Sequence, residues 1–279
     1  MGGLIEYFRG LREVITRNRP QYVCNLIRAK LYSALHPGAL TIAVLNGKDT
    51  IRLLKESRKS LIRWGDADTR AFLGGNLYYQ PWSKQLVQKL RLISSKYSNT
   101  TPYVLAIPRP SVKALAELEK TGKRKHWETT RYLLATQFNQ DARYGDSTLF
   151  YTEEVTRATM KSLWKDAAHI IVVQNGTEGY DFIRKDRRPK NTIHIEAPDH
   201  DAFSHYSSLK EQCLTIITDR KWQKRDVLVI LSCGPAARVI AYELAHEGYR
   251  TYDLGTLLGR TALDADTTLQ STRRQRSRP

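Results

Sequence analysis

Asp226-Val227-Leu228-Val229-Ile230-Leu231 runs straight into Ser232-Cys233-Gly234-Pro235, and this stretch decides the fold. The six-residue run is rich in branched apolar side chains, of the length expected for a strand buried on both faces. Gly234 and Pro235 then turn the chain into a helix, since proline suits the first helical position, where its missing N–H is not needed. Ala236, Ile240 and Leu244 recur at helical spacing, and Gly248 suits the C-terminal cap. Tyr249-Arg250-Thr251-Tyr252-Asp253 returns as the next strand, which makes a βαβ unit. Its Gly-Pro loop aims a helix N-terminus at the crevice outside the strand ends, where free amides and the helix dipole attract phosphate. An ordinary strand-to-helix turn carries the same residues, so Gly234 and Pro235 are phosphate-binding candidates and not yet a site.

The same alternation runs back through the chain. Leu61–Trp64, Tyr103–Ile107, His169–Val173 and Thr192–Ile195 read as strands. Helices are expected over 48–59, from Pro81 onward with Leu86, Leu90 and Ile93 on one face, and over 127–135. The fold class is therefore α/β, a mostly parallel sheet flanked by helices. Residues 38–259 make up this body. Residues 1–37 form a basic helical extension, a hairpin of helices over 3–18 and 21–35 broken at Pro20. Leu4, Phe8, Leu11 and Ile15 line the first helix; Val23, Ile27, Leu31 and Leu35 line the second. Residues 260–279 are a polar basic tail with the composition of a disordered segment.

The chain has 279 residues, 41% of them hydrophobic, which is the composition of a globular protein with a real core. No apolar run has the length to span a bilayer, and no signal-peptide pattern opens the sequence. Cys24, Cys213 and Cys233 are odd in number and far apart, which points to a reducing, cytoplasmic setting without a zinc site. The net charge of +17 draws anions: phosphorylated molecules, nucleic acid or an anionic membrane face. Arg273, Arg274, Arg276 and Arg278 concentrate part of it in the tail. Arg9, Arg12, Arg17, Arg19, Arg28 and Lys30 against Glu6 and Glu13 make residues 1–36 a candidate surface for the inner membrane face or for a second copy in a homo-oligomer.

Chemistry concentrates at Leu61-Ile62-Arg63-Trp64-Gly65-Asp66-Ala67-Asp68. A strand runs into a glycine, expected to turn the chain sharply, and two carboxylates follow one residue apart. A hard divalent cation, Mn2+ or Mg2+, takes carboxylate oxygens while also holding phosphate oxygens, which makes Asp66 and Asp68 the metal candidates. Arg63 suits a pyrophosphate by paired hydrogen bonds, or else a surface ion pair with either aspartate. His194, Glu196, Asp199, His200, Asp201 and His205 cluster in sequence, but their spacing matches no recognised zinc or two-metal pattern. Walker, Gly-x-Ser-x-Gly and Gly-x-Gly-x-x-Gly signatures are missing, which argues against a P-loop ATPase, an α/β-hydrolase and ordinary NAD binding.

In their order along the chain, these motifs resemble the GT-D-type glycosyltransferases of bacteria. That family carries strand-Arg-aromatic-Gly-Asp-Gly-Glu, and Arg63-Trp64-Gly65-Asp66-Ala67-Asp68 is similar to it with two changes. Gln80 stands where the family has a glutamine. Pro198-Asp199-His200-Asp201-Ala202-Phe203-Ser204-His205-Tyr206 echoes its Pro-x-x-Asn-Ala-Phe-x-x-Tyr segment. Cys233-Gly234-Pro235-Ala236-Ala237, Gly248-Tyr249 and Asp253-Leu254-Gly255 follow, so the likeness covers roughly residues 40–256. It implies a Rossmann-like fold and sugar transfer from a nucleotide-sugar donor, UDP-sugar favoured, to a surface polysaccharide or glycoprotein glycan. Arg63, Gly65, Asp66 and Asp68 would then bind the donor, with the metal at Asp66 and Asp68. Asp68 is one methylene shorter than the family's glutamate, Ala67 replaces a glycine, and Thr256-Leu257-Leu258-Gly259 replaces a histidine and acidic-aromatic segment.

An inverting transfer needs a general base for the acceptor hydroxyl, and Glu178, Asp181, Asp199 and Asp201 are candidates among which the sequence does not choose. Two other classes compete. A catalytically degenerate homologue that binds a nucleotide sugar or a partner is suggested by Asp68 and the changed C-terminal segment. A basic nucleic-acid-binding protein is suggested by the charge, but no RNA-recognition or helix-turn-helix signature supports a specific nucleic-acid partner.

Overall fold

The structure, a computed structural model, describes residues 19–151, 157–186 and 189–255. The predicted helix over 3–18 and the tail over 260–279 lie outside the described residues. The first half contains α1 (Pro20–Leu35), β1 (Ala43–Val44), α2 (Gly47–Ser57), β2 (Ser60–Arg63), α3 (Asp66–Phe72), α4 (Lys84–Ser95), β3 (Tyr103–Ile107), α5 (Leu115–Lys120), α6 (Arg124–Gln137) and β4 (Arg143–Asp146). The second contains α7 (Arg157–Lys161), β5 (His169–Gln174), α8 (Glu178–Arg184), β6 (Asn191–Glu196), α9 (Tyr206–Asp219), β7 (Val227–Ser232), α10 (Ala236–His246) and β8 (Arg250–Asp253). The strands form an eight-stranded, mostly parallel sheet in the order β1-β4-β3-β2-β8-β7-β5-β6, as the alternating pattern predicts. No described helix is long and apolar enough to cross a membrane.

The chain divides into two compact units. One comprises Gly47–Arg63, Pro102–Val104 and Leu149–Pro279. Its centre is the predicted βαβ unit. Val227–Leu231 of β7 and Ile170–Gln174 of β5 are buried throughout, as strands covered on both faces must be. The register sets Gln174 beside Ser232 and Leu231 beside Asp253, so the carboxyl ends of three strands finish together. β2 joins them with Leu61 beside Tyr252. Alanine-rich α10 buries Ala236, Ala237, Val239, Ile240, Ala241, Leu244 and Ala245, and its small side chains let it lie close on β2 and β8. Gly248, at φ +83°, ends it: the Gly248 N–H donates to Ala245 O and the Tyr249 N–H to Leu244 O, which caps the last carbonyls.

The other unit comprises Met1–Asn46, Trp64–Thr101 and Leu105–Thr148. β4 pairs with β1 on one side and with β3 on the other, where Ile107 lies beside Asp146. Trp64 is fully buried, edge-on to Phe72 and Phe138. Its indole N–H donates to Thr69 Oγ1 at 3.1 Å, and Thr130 of α6 donates to the same oxygen at 3.2 Å. These contacts hold the start of α3 against α6.

Helix α1 packs on α6 and buries Tyr22, Ala29 and Ser33, while on the Val23-Ile27-Leu31-Leu35 face Ile27, Leu31 and Leu35 are 54%, 60% and 76% exposed. Small Ala29 and Ser33 permit the close helix approach that the larger side chains would block.

Candidate active site

Each unit carries its own cluster of candidate residues. In the unit containing β7 and β8, the cluster is built on Asp253, the last residue of β8, which is fully buried. One carboxylate oxygen accepts the Arg63 backbone N–H at 3.3 Å and lies 3.4 Å from Arg238 Nε; the other accepts the Gly255 N–H at 3.1 Å. Arg63 in turn donates through Nη1 to Leu254 O at 2.6 Å, and its guanidinium lies 5.6 Å from the Phe150 ring centroid. Arg238 also donates to Gly234 O at 2.7 Å, bracing the turn into α10. Arg63 is thus positioned by the Asp253-Leu254-Gly255 segment, which fixes a planar cation where β2 ends.

Gly234 and Gly255 hold this cluster by conformation. Both have positive φ, +58° and +56°, where an L side chain is strained. A Cβ on Gly255 would also stand 2.9 Å from Arg63 Nη1. Gly255→Ala is expected to cost about 1–2 kcal/mol, the price of a non-glycine residue in the left-handed region, which urea denaturation reads as a lower midpoint. Pro235 lies at φ −60°, one residue before the assigned start of α10, close to its predicted helical position.

In the other unit, α3 begins with the two candidate carboxylates, and the structure separates them. Asp66 is exposed, with its carboxylate 65% accessible and His126 Nε2 4.0 Å away. Asp68 is fully buried, and its Oδ2 accepts the Gly65 N–H at 2.8 Å. An acidic side chain at the third helical position commonly reaches back to the capping residue's amide, and Asp68 does so here. Gly65 is not a sharp turn: its φ of −128° is extended, and a Cβ there would meet only Asp68 Oδ2 at 3.7 Å. Gln80 is buried, and its backbone exchanges hydrogen bonds with Leu77, so it holds the turn before α4.

The four base candidates fall into two places. Glu178 and Asp181 begin α8, directly after β5, where Asp181 lies 3.6 Å from Arg184. Asp199 and Asp201 lie in the turn after β6; Asp199 pairs with His200 at 3.0 Å, and Asp201 adopts φ +49°. The apolar half of that segment packs inward, with Phe203 stacked on Tyr206. Among the described residues no three His, Cys, Asp or Glu side chains assemble as a metal site.

Sequence reasoning passed over two carboxylates as site residues: Asp253, quoted only within a motif, and Asp146. Asp146 ends β4 and is almost fully buried, with Oδ1 accepting the Thr148 N–H and hydroxyl at 2.7 and 2.6 Å. Burial raises its pKa above the ordinary carboxylate value, against the Thr148 hydrogen bonds and the nearby Arg109. The usable signal was the strand-final Gly145-Asp146-Ser147-Thr148, an acidic residue followed by hydroxyls that its carboxylate can engage.

The model of the glycosyltransferase GT-D fold family matches residues 61–259, which include Arg63, Asp66, Asp68, Gly234 and Asp253. The chain belongs to the GT-D glycosyltransferases. Membership gives it the GT-D fold on a Rossmann-like sheet. It is 25% identical over 259 residues to the probable glycosyl transferase Gly of Streptococcus gordonii, covering 88% of this chain and 36% of that protein. It is 24% identical over 233 residues to the glycosyltransferase GlyD of Streptococcus pneumoniae serotype 4, covering 77% of this chain and 27% of that one. The chain thus spans about a third or less of these curated relatives. A solved glycosyltransferase from Streptococcus sanguinis superposes with a TM-score of 0.64 at 24% identity, over 77% of this chain and 82% of its own. A second structure, of a conserved domain described as having a distinct glycosyltransferase fold, superposes at 0.61 and 19% identity, over 85% and 82%. These two likenesses establish the GT-D fold.

Proposed function

We propose that this GT-D protein moves a sugar from a nucleoside diphosphate sugar, UDP-sugar favoured, to a hydroxyl of a surface polysaccharide or glycoprotein glycan. The observation that carries this reading is the anchored Arg63: its backbone N–H is held by Asp253 and its guanidinium by Leu254 O at the end of β2, inside the segment that the family model matches. Breaking the anomeric bond leaves negative charge on the diphosphate, and a preorganised guanidinium stabilises that charge more as it develops. Asp66 supports a divalent ion in the same role, because Mg2+-type sites often use one or two carboxylates together with the substrate's own phosphates. Such an ion would neutralise the leaving group as a Lewis acid. Asp68 is buried with its Oδ2 taken by the Gly65 N–H, so as a second ligand it would act through Oδ1 alone.

The acceptor hydroxyl would lose its proton to one of Glu178, Asp181, Asp199 or Asp201 if configuration inverts. The commitment of Asp68 to its helix also favours a second reading, a nucleotide-sugar-binding homologue without turnover. Thermal unfolding with a panel of nucleotide sugars, with and without Mn2+, separates the readings when paired with a donor-hydrolysis assay. A ligand that binds only the folded state raises the melting temperature. A donor that raises it and is also hydrolysed or transferred supports the enzyme. A donor that raises it without turnover supports the binding protein, and no shift with any donor overturns both.

A further inference from the structure

At the amino ends of β5 and β8, opposite the strand ends that carry Arg63 and Gly234, lies a cavity of about 340 Å3. Lys55, Lys165 and Arg250 line it, with Ser162 and Tyr252 contributing hydroxyls and Asp166 the one carboxylate. Arg250 opens β8 and is 93% buried by its 7% exposure. Its Nη1 meets both Asp166 oxygens, at 3.0 and 2.8 Å. Its Nε and Nη2 are buried and outside hydrogen-bond geometry among the described residues, although the guanidinium interacts with the Tyr252 hydroxyl. Asp166 is shared further: Arg58 Nη1 donates to it at 2.6 Å, while Arg58 Nη2 donates to Arg225 O.

The balance of charge and donors is one-sided. A single carboxylate already serves two guanidinium groups, and two lysines face the same cavity. Burial would raise the Asp166 pKa, but the hydrogen bond and charge of Arg250, then the charge of Arg58, hold it below the ordinary carboxylate value. Asp166 therefore stays ionised near neutral pH and offers the cavity no proton. Buried donors without acceptors are costly, and a native structure that keeps them calls for an ion or ligand that is not part of the chain. Planar guanidinium N–H groups suit phosphate oxygens, and lysines add point charge. The volume lies near the lower end of the roughly 300–1,000 Å3 of small-molecule pockets, which favours a compact ligand over an entire nucleotide sugar.

We propose that this cavity is a second anion site, which takes the phosphate of a small phosphorylated molecule of the hexose-phosphate class. It is separate from the donor site and does not depend on the proposed transfer reaction. Lys55 and Lys165 are exposed, so Lys55→Ala/Lys165→Ala removes the attraction without touching the core. The test titrates the full-length chain with inorganic phosphate and with a hexose 1-phosphate at constant ionic strength, set with chloride, and follows binding calorimetrically. Wild type and Arg63→Ala are expected to bind a hexose phosphate saturably and alike, with inorganic phosphate weaker. The double lysine variant should bind it about tenfold more weakly or worse, as expected for losing charge-assisted contacts, while keeping the affinity of wild type for UDP. No saturable binding, binding unchanged in the double variant, or binding abolished by Arg63→Ala would each overturn the proposal. The last of these would assign the anion to the donor crevice instead.

Discussion

Asp253→Ala is expected to destabilise the protein by about 3–5 kcal/mol, the range for removing one partner of a buried ion pair. The reason is what remains behind. Arg238 has a side chain only 11% exposed and would keep its charge with its carboxylate partner gone. The backbone N–H groups of Arg63 and Gly255 would lose their acceptor as well. Asp253→Asn separates the contributions, since the amide oxygen can still accept an N–H while the charge is lost; a smaller loss than that of alanine is expected. Arg238→Met/Asp253→Leu should recover part of the alanine loss, because replacing both charges removes the uncompensated cation but not the unpaired amides. Urea unfolding reads this as a lower midpoint with an unchanged slope. A loss below about 1 kcal/mol, the scale of an exposed pair, would show that Arg238 reaches water easily and that Asp253 is not the keystone of the cluster. The same variant should lose nucleotide binding, because Arg63 is positioned through this carboxylate.

The parts of the fold that were legible in the sequence are those whose signal is local. β7, α10 and β8 could be read because buried strands demand branched apolar runs and a helix ending in the left-handed region demands a glycine, here Gly248. Which of its surroundings the apolar face of α1 meets is not local in the same way. Periodicity shows that Val23, Ile27, Leu31 and Leu35 share a face, but whether that face is covered depends on α6, about a hundred residues further on. The site divides in the same way. Arg63, Asp66 and Gly234 were recognised as chemistry-bearing residues from their positions at strand ends. The role of Asp253 rests on a contact with Arg63 across 190 residues, which no spacing rule reaches. Asp68 shows the limit most clearly. Two carboxylates one residue apart look equivalent on paper, and only the start of a helix at Asp66 makes the third helical position fold back on the Gly65 amide.

That difference sets up opposite outcomes for the two aspartates. Asp66→Ala is expected to lower kcat/KM for sugar transfer by about 100-fold or more, the scale of removing one group that stabilises developing charge. It should leave the melting temperature near that of wild type, since Asp66 is exposed and its nearest ion-pair partner, His126, is 4.0 Å away and itself half-exposed. Asp68→Ala should do the reverse in part, costing about 1–2 kcal/mol of stability through the lost cap and slowing transfer only as far as the α3 turn loosens. Asp68→Asn decides the matter. Its side-chain oxygen can still accept the Gly65 N–H, so stability and activity should both stay close to wild type if Asp68 acts by holding the turn. If Asp68 instead meets a divalent ion, the amide should be a far poorer ligand, and Asp68→Asn would fall as far in activity as Asp66→Ala while unfolding at the wild-type temperature. Measuring both variants across a range of Mn2+ concentrations adds a second discriminator. Excess metal should partly rescue a weakened ligand, whereas it should do nothing for a turn that has lost its cap.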